Sequence, residues 1–216
     1  MSLVNGPFGF QASYHPSGYI RPARHIGLIP SLTNVNIFNG QPVFLGIGTG
    51  AAVNGVTIAT GVSYLAPVTT STQDFLGIFA GCEYFDALGK PTESSYWPAN
   101  QAIQAGTVVT AFVHEDPFTV FEVQADGAVT VSSNGVSQID GKQVVISNFA
   151  AGVAVGGGVG QSQATISATP IATGSQGQFY VRGLSPSVLN QSAADAYPIF
   201  QVVMARSHFQ ANKVSI

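Results

Sequence analysis

Thr119-Val120-Phe121-Glu122-Val123-Gln124, followed by Ala125-Asp126-Gly127, decides how the rest of the chain is read. Val120, Glu122 and Gln124 fall on one side of an extended chain and Thr119, Phe121 and Val123 on the other, the two-residue period of a half-buried strand. Asp-Gly then supplies the positive φ that a tight turn needs. Working outward, the same pattern of short apolar runs and turn signals recurs at Asn39-Gly40, Asn54-Gly55, Asn134-Gly135 and Asp140-Gly141. It predicts sequential antiparallel strands over 42–47, 56–59, 76–85, 107–114, 119–124, 128–132, 143–147, 163–172, 178–183 and 199–205. Strands so short and so evenly spaced imply an all-β fold, an antiparallel sandwich or a barrel-like body, rather than βαβ units. One short helix is expected, from Ser187, a capping residue, to Ala196, ahead of Pro198.

Composition agrees. The 216 residues are 45% hydrophobic and only 8% charged, with 25 Gly and 12 Pro, which excludes long helices and, given the β-branched and aromatic content, disorder. So little charge implies either a surface covered by identical subunits or another protein, or one made of Ser, Thr, Asn and Gln. Seven basic residues against ten acidic ones, a net charge of -3, disfavour nucleic acid as a partner. No apolar run approaches the roughly 20 residues that span a bilayer, so no membrane partner is expected. Met1-Ser2-Leu3-Val4-Asn5-Gly6 has neither a basic nor an apolar leader region, which points to use without Sec export. The single Cys fits a reducing compartment.

Residues 1–36 read as an extended N-terminal arm ahead of a β-rich body, 37–216. Pro7, Pro16, Pro22 and Pro30 alternate with Gly6, Gly9, Gly18 and Gly27, leaving no room for a helix and little for a central strand. Phe8, Phe10, Tyr14 and Tyr19 are interleaved with them, so the arm is expected to lie on something, either its own body or a neighbour. Arg21, Arg24 and His25 form the one basic cluster, either a solvated bend or a pair of guanidinium groups docking on another subunit's carboxylates. The tract Gly156-Gly157-Gly158-Val159-Gly160 is read as a mobile loop in preference to a close backbone approach.

Catalytic chemistry finds little support. His114-Glu115-Asp116 is the one place where a base adjoins two carboxylates, but successive strand residues diverge, and the reading is a charged turn between strands. The four histidines lack ligand spacing, so no metal and no cofactor is expected. Gly46-x-Gly48-x-x-Ala51 precedes a turn rather than a helix and is not a dinucleotide site. Cys82, beside Glu83, reads as a buried structural thiol. Asn190-Gln191-Ser192 matches a glycosylation sequon without an export signal to give it meaning. An enzyme using Glu83, Asp86 or His114 is the least favoured reading.

Three stretches, taken together in order and spacing, resemble a known family. They are Leu76 through Asp86 followed by Tyr96-Trp97-Pro98, then Val113-His114-Glu115-Asp116-Pro117, then Phe121 through Gly127. Gly9-Phe10, Ile20 through His25 and the C-terminal run Phe200 to His208 are similar as well. The resemblance is to the capsid decoration, or cement, proteins of tailed bacteriophages, and is weakest between Ala150 and Gly177. It implies a structural virion protein, synthesised in the host cytoplasm, that binds the outside of the capsid. Its partner would be the major capsid protein, and its commonest form a homotrimer at local threefold positions that reinforces the shell against internal DNA pressure. Phe8, Phe10, Tyr14, Tyr19, Arg21, Arg24, His25, Tyr84, Tyr96 and Trp97 are the candidate subunit or capsid contacts. A second reading makes Tyr84, Tyr96 and Trp97 a stacking platform for sugar rings in a carbohydrate- or receptor-binding module.

Overall fold

The computed structural model describes residues 6–133, 136–149, 152, 159–186 and 195–207. Among these there is no helix; residues 187–194 of the helix expected over 187–196, the Asn134-Gly135 turn, the sequon and most of the glycine tract lie outside the described residues, and 195–196 are bends. The strands are β1 (Gln11–Tyr14), β2 (Ala23–Ile26), β3 (Pro42–Ile47), β4 (Ala52–Val53), β5 (Val56–Thr57), β6 (Ser63–Pro67), β7 (Gly77–Phe85), β8 (Pro91–Ser94), β9 (Thr110–His114), β10 (Val120–Gln124), β11 (Gln143–Val144), β12 (Phe179–Leu184) and β13 (Ile199–Met204). Sheet A has the order β1-β10-β13-β12-β11 and sheet B the order β2-β9-β7-β3-β6, with β8 added to β7. All strand pairs are antiparallel, and the two sheets pack as a sandwich.

Alternation decides which side chains fill it. Phe121 and Val123 of β10 point inward with Phe200 and Val202 of β13 and Phe179 and Val181 of β12, meeting Ile78 of sheet B and Phe75, just ahead of β7. Glu122, on the other side of β10, accepts bonds from Ser13 and Ser185. Each buried aromatic contributes about 1.5–3 kcal/mol through removal from water. A second cluster lies on the opposite face of sheet B, where Val43, Phe79, Cys82, Tyr84, Ala111 and Val113 are covered by Ile29, Ile37 and Trp97. Trp97 is fully buried, its indole Nε1-H donating to Thr33 Oγ1 at 2.8 Å and its ring edge-on to Tyr84 at 5.2 Å.

The N-terminal segment is extended, as its prolines require, and it lies on its own body. β1 is the edge of sheet A and β2 the edge of sheet B, while Phe10 sits between the sheets, stacked on Phe179 at 4.5 Å. Prolines also explain other strands that the pattern does not disclose. Pro91 begins β8 and Pro67 ends β6, edge positions where a missing N-H costs no ladder bond.

Residues 128–132 and 163–172, expected as strands, make only isolated bridges, Val131 with Ser137 and Ile166 with Ala125 and Ile146. Ser162 and Ser167 hydroxyls bond the backbone two residues on, at Ala164 and Thr169, turning the chain out of register. Asn54 and Gly55 both adopt positive φ, 50° and 81°, in the two-residue hairpin between β4 and β5. Gly127, by contrast, turns without positive φ.

Candidate protein-contact surface

Sheet B is longer than the cover that sheet A gives it. At one end of the face turned toward sheet A, Ile78 joins the inter-sheet core and His114 meets Phe121 edge-on at 6.2 Å. Toward the other end, cross-strand register places Arg24 opposite Phe112, Ile26 and Glu83 opposite Thr110, Glu93 opposite Glu83 and Pro91 opposite Phe85. These residues share one face, and among the described residues nothing closes over its exposed side chains. Ile26 is 67% exposed, Val108 53% and Phe85 43%. Glu83, Phe85, Pro91, Glu93, Val108 and Thr110 line a depression of 510 Å³.

The β7–β8 hairpin tip is rigid, because Asp86 Oδ1 accepts the N-H of both Leu88 and Lys90 at 2.9 Å. It holds Leu88 out at 94% exposure. Gly81, at φ 131°, forms the bulge at which the β7–β9 register shifts.

Charge on this face is arranged within the chain. Like charges at Glu83 and Glu93 stand directly opposite each other, an unfavourable pairing, and Arg24 offsets it by donating to Glu83 Oε1 at 2.6 Å while its guanidinium lies 5.9 Å from the Phe112 ring centre. Of the basic cluster read either as a solvated bend or as docking on another subunit, Arg24 meets a carboxylate of its own chain.

Arg24 also borders an adjoining open groove of 740 Å³ with Arg21, Pro22, Glu115, Asp116, Pro117 and Phe118. Here the turn between β9 and β10 is tied to the N-terminal segment, His25 Nε2 to Glu115 at 3.0 Å and His15 Nε2 to Asp116 at 3.3 Å. His15 Nδ1 accepts the Ser17 N-H at 3.1 Å, which fixes the ring with Nε2 on the Asp116 side. His114, Glu115 and Asp116 thus face three different partners, the charged turn that their alternation predicts. His15 and its pairing with Asp116 leave no local trace in the sequence, since the two residues are far apart in the chain.

The remaining candidates separate. Tyr14 is partly exposed beneath Arg182, 5.7 Å from its ring centre, and Tyr19 is exposed. The Phe8 carbonyl accepts from Gln161 at 3.0 Å, and Phe10 is core. Tyr96 stacks on Phe38 at 6.2 Å. Tyr84 and Trp97 are inside the second cluster, so Tyr84, Tyr96 and Trp97 form no exposed platform for a sugar. Trp97 packs within the fold instead of anchoring a surface.

Burial shifts the ionisation of four groups. Burial pushes the Cys82 thiol up to about 12 and raises Tyr84, with smaller contributions from Cys82, Tyr96 and Asp86. Burial lowers His114 and raises Asp140, against a backbone bond from Ser137. None of these groups lines the 740 Å³ groove. Among the described residues no group of three or more His, Cys, Asp and Glu is placed to hold a metal ion. No family model, curated protein or solved structure matches the chain.

Proposed function

We propose that the chain is a structural virion protein that attaches to the outer surface of a tailed-bacteriophage capsid and reinforces the shell without catalysis. The observation that carries this reading is the uncovered half of sheet B. Exposed Ile26, Phe85, Leu88 and Val108 surround the Arg24–Glu83–Glu93 charges, in a chain with few charges elsewhere. Exposed apolar side chains clustered on one sheet face are what a protein-binding surface presents, and the charges among them are already paired through Arg24 and Glu83. The resemblance of most of residues 8–127, and of 200–208, to decoration proteins supplies the partner, the major capsid protein, and a trimer as the assembled form.

The test is co-sedimentation with purified expanded shells of a tailed bacteriophage, combined with the temperature at which packed shells release DNA. Saturable binding at micromolar protein and a raised release temperature are expected. Absence of pelleting refutes the assignment. Light scattering of the free and shell-released chain tests the trimer, which a monomer under both conditions contradicts.

A further inference from the structure

Sheet B leaves part of its edge unpaired. Gly27 N-H donates to Val109 O at 2.8 Å, and the register runs from Ala23 opposite Val113 to Ile26 opposite Thr110. Antiparallel alternation therefore turns the backbone groups of Ala23, His25 and Gly27 toward β9 and those of Arg24, Ile26 and Leu28 away from it. On the far edge, Gly48 N-H to Val62 O and Val68 N-H to Pro42 O fix the same alternation, so Ser63 and Leu65 point away from β3. The two outward rows meet once, where Leu65 N-H donates to Leu28 O at 2.8 Å. Sheet B curls toward closure and, among the described residues, closes on that rung alone. Arg24 and Ile26, just before it, keep outward N-H and C=O groups with no partner among the described residues.

Edges of this kind are ordinarily blunted by charge, proline or a bulge. Pro22 ends the edge on one side. Arg24 would shield it, but its guanidinium is drawn back onto Glu83 at 2.6 Å, leaving the backbone beside exposed Ile26 open. In the adjoining groove Glu115 and Asp116 are engaged by His25 and His15, and Glu83 by Arg24. Arg21, exposed in the same groove, has no carboxylate partner among the described residues. Arg21 is thus the guanidinium beside the edge that has no carboxylate paired to it among the described residues, while Arg24 is held by Glu83.

We propose that the β2 edge accepts an extended segment of a partner protein as an added strand. Backbone bonds form to Arg24 and Ile26, a carboxylate of the segment meets Arg21, and its aliphatic side chains pack on Ile26 and Val108. This gives a partner chemistry to the surface proposed above and rests on that surface being a protein contact.

The test contains no shells, so its outcome is separable from that of the capsid assignment. The full chain is used to select from a library of random peptides. Enriched sequences are expected to alternate aliphatic residues with Asp or Glu, and their addition should slow hydrogen exchange at the Arg24 and Ile26 amides. Ile26→Pro removes an outward donor while sparing every bond to β9, and should weaken these peptides about tenfold. Arg21→Glu alters no backbone bond and should weaken them independently, which keeps the test valid if the proline variant folds poorly. The proposal is overturned if no such peptide is enriched, or if the selected peptides bind wild type and Arg21→Glu alike. Protection of the edge amides in the free chain through self-association would also overturn it, assigning the edge to a second copy.

Discussion

Replacing Phe10 by alanine tests whether the N-terminal segment is part of the fold or merely rests on it. The ring is 2% exposed and stacks on Phe179 at 4.5 Å. Its surroundings cannot easily collapse into the space it would leave. Phe10 N-H is fixed to Gly40 O at 2.9 Å, and Gly40, at φ 77°, is held close against the Phe10 backbone. Phe→Ala substitutions at such sites cost about 3–5 kcal/mol, and a rigid site belongs in the upper half of that range, about 4 kcal/mol. With a urea dependence of about 2 kcal/mol/M, the midpoint should fall by roughly 2 M at unchanged slope.

The assay is intrinsic fluorescence, since the single Trp97 is buried against Tyr84 and becomes hydrated on unfolding. It reports from the second core cluster, not from the site of mutation. Tyr19→Ala, in the same segment but 69% exposed, should change stability by less than about 0.5 kcal/mol. If Phe10→Ala shifts the midpoint no more than Tyr19→Ala, the segment is not integral to the sandwich and the reasoning is refuted. For the same reason, deleting residues 1–36 should unfold the body rather than release it intact.

Other perturbations probe other parts of the account. Cys82, buried with its pKa pushed up to about 12, should resist a soluble disulfide reagent in native protein and react at the rate of unfolding; fast native labelling would show the thiol accessible. Gly81→Ala places a Cβ 2.8 Å from the Ser94 carbonyl at φ 131° and should cost at least about 2 kcal/mol in urea titrations. Burial holds His114 below its ordinary value, so as pH falls the unfolded chain takes up this proton first. Its contribution is complete above about pH 6.5 and declines as pH drops from there toward the lowered folded value. His114→Gln should flatten the dependence of the urea midpoint on pH in that window, and parallel profiles would contradict it. Arg24→Ala, whose ion pair with Glu83 is solvent-exposed, should cost no more than about 1 kcal/mol in the same titrations, less still in high salt.

Periodicity discloses what depends on it. The strict alternation at 119–124 and the apolar run at 76–85 carry β10 and β7, and their inward residues are the inter-sheet core and the second cluster. The all-β class follows from the same local signals. β1 and β2 carry no such period, because edge strands are buried on few sides and prolines interrupt their segment; what fixes them is pairing with β10 and β9, about a hundred residues away in sequence. The segments at 163–172 and 128–132 have strand composition, yet single serine hydroxyls divert the first and only one bridge forms in the second. The contact surface is legible in pieces. Arg24 and Phe85 are conspicuous residues, but that they share a face with Ile26 and Val108 depends on the Gly81 bulge and on where sheet A stops. Trp97 misleads for the opposite reason: an aromatic among turn formers has the composition of a surface contact, and only the covering segment with Thr33 makes it core.

The central claim, that this chain attaches to a larger protein assembly through the N-terminal side of sheet B, is tested most directly by amide hydrogen exchange of the chain free and bound to expanded capsid shells. Slowed exchange is predicted within residues 21–27, 83–93 and 108–118, with β11 and β13 unchanged. Protection confined to β11, β12 and β13, or none anywhere on saturated shells, would contradict it.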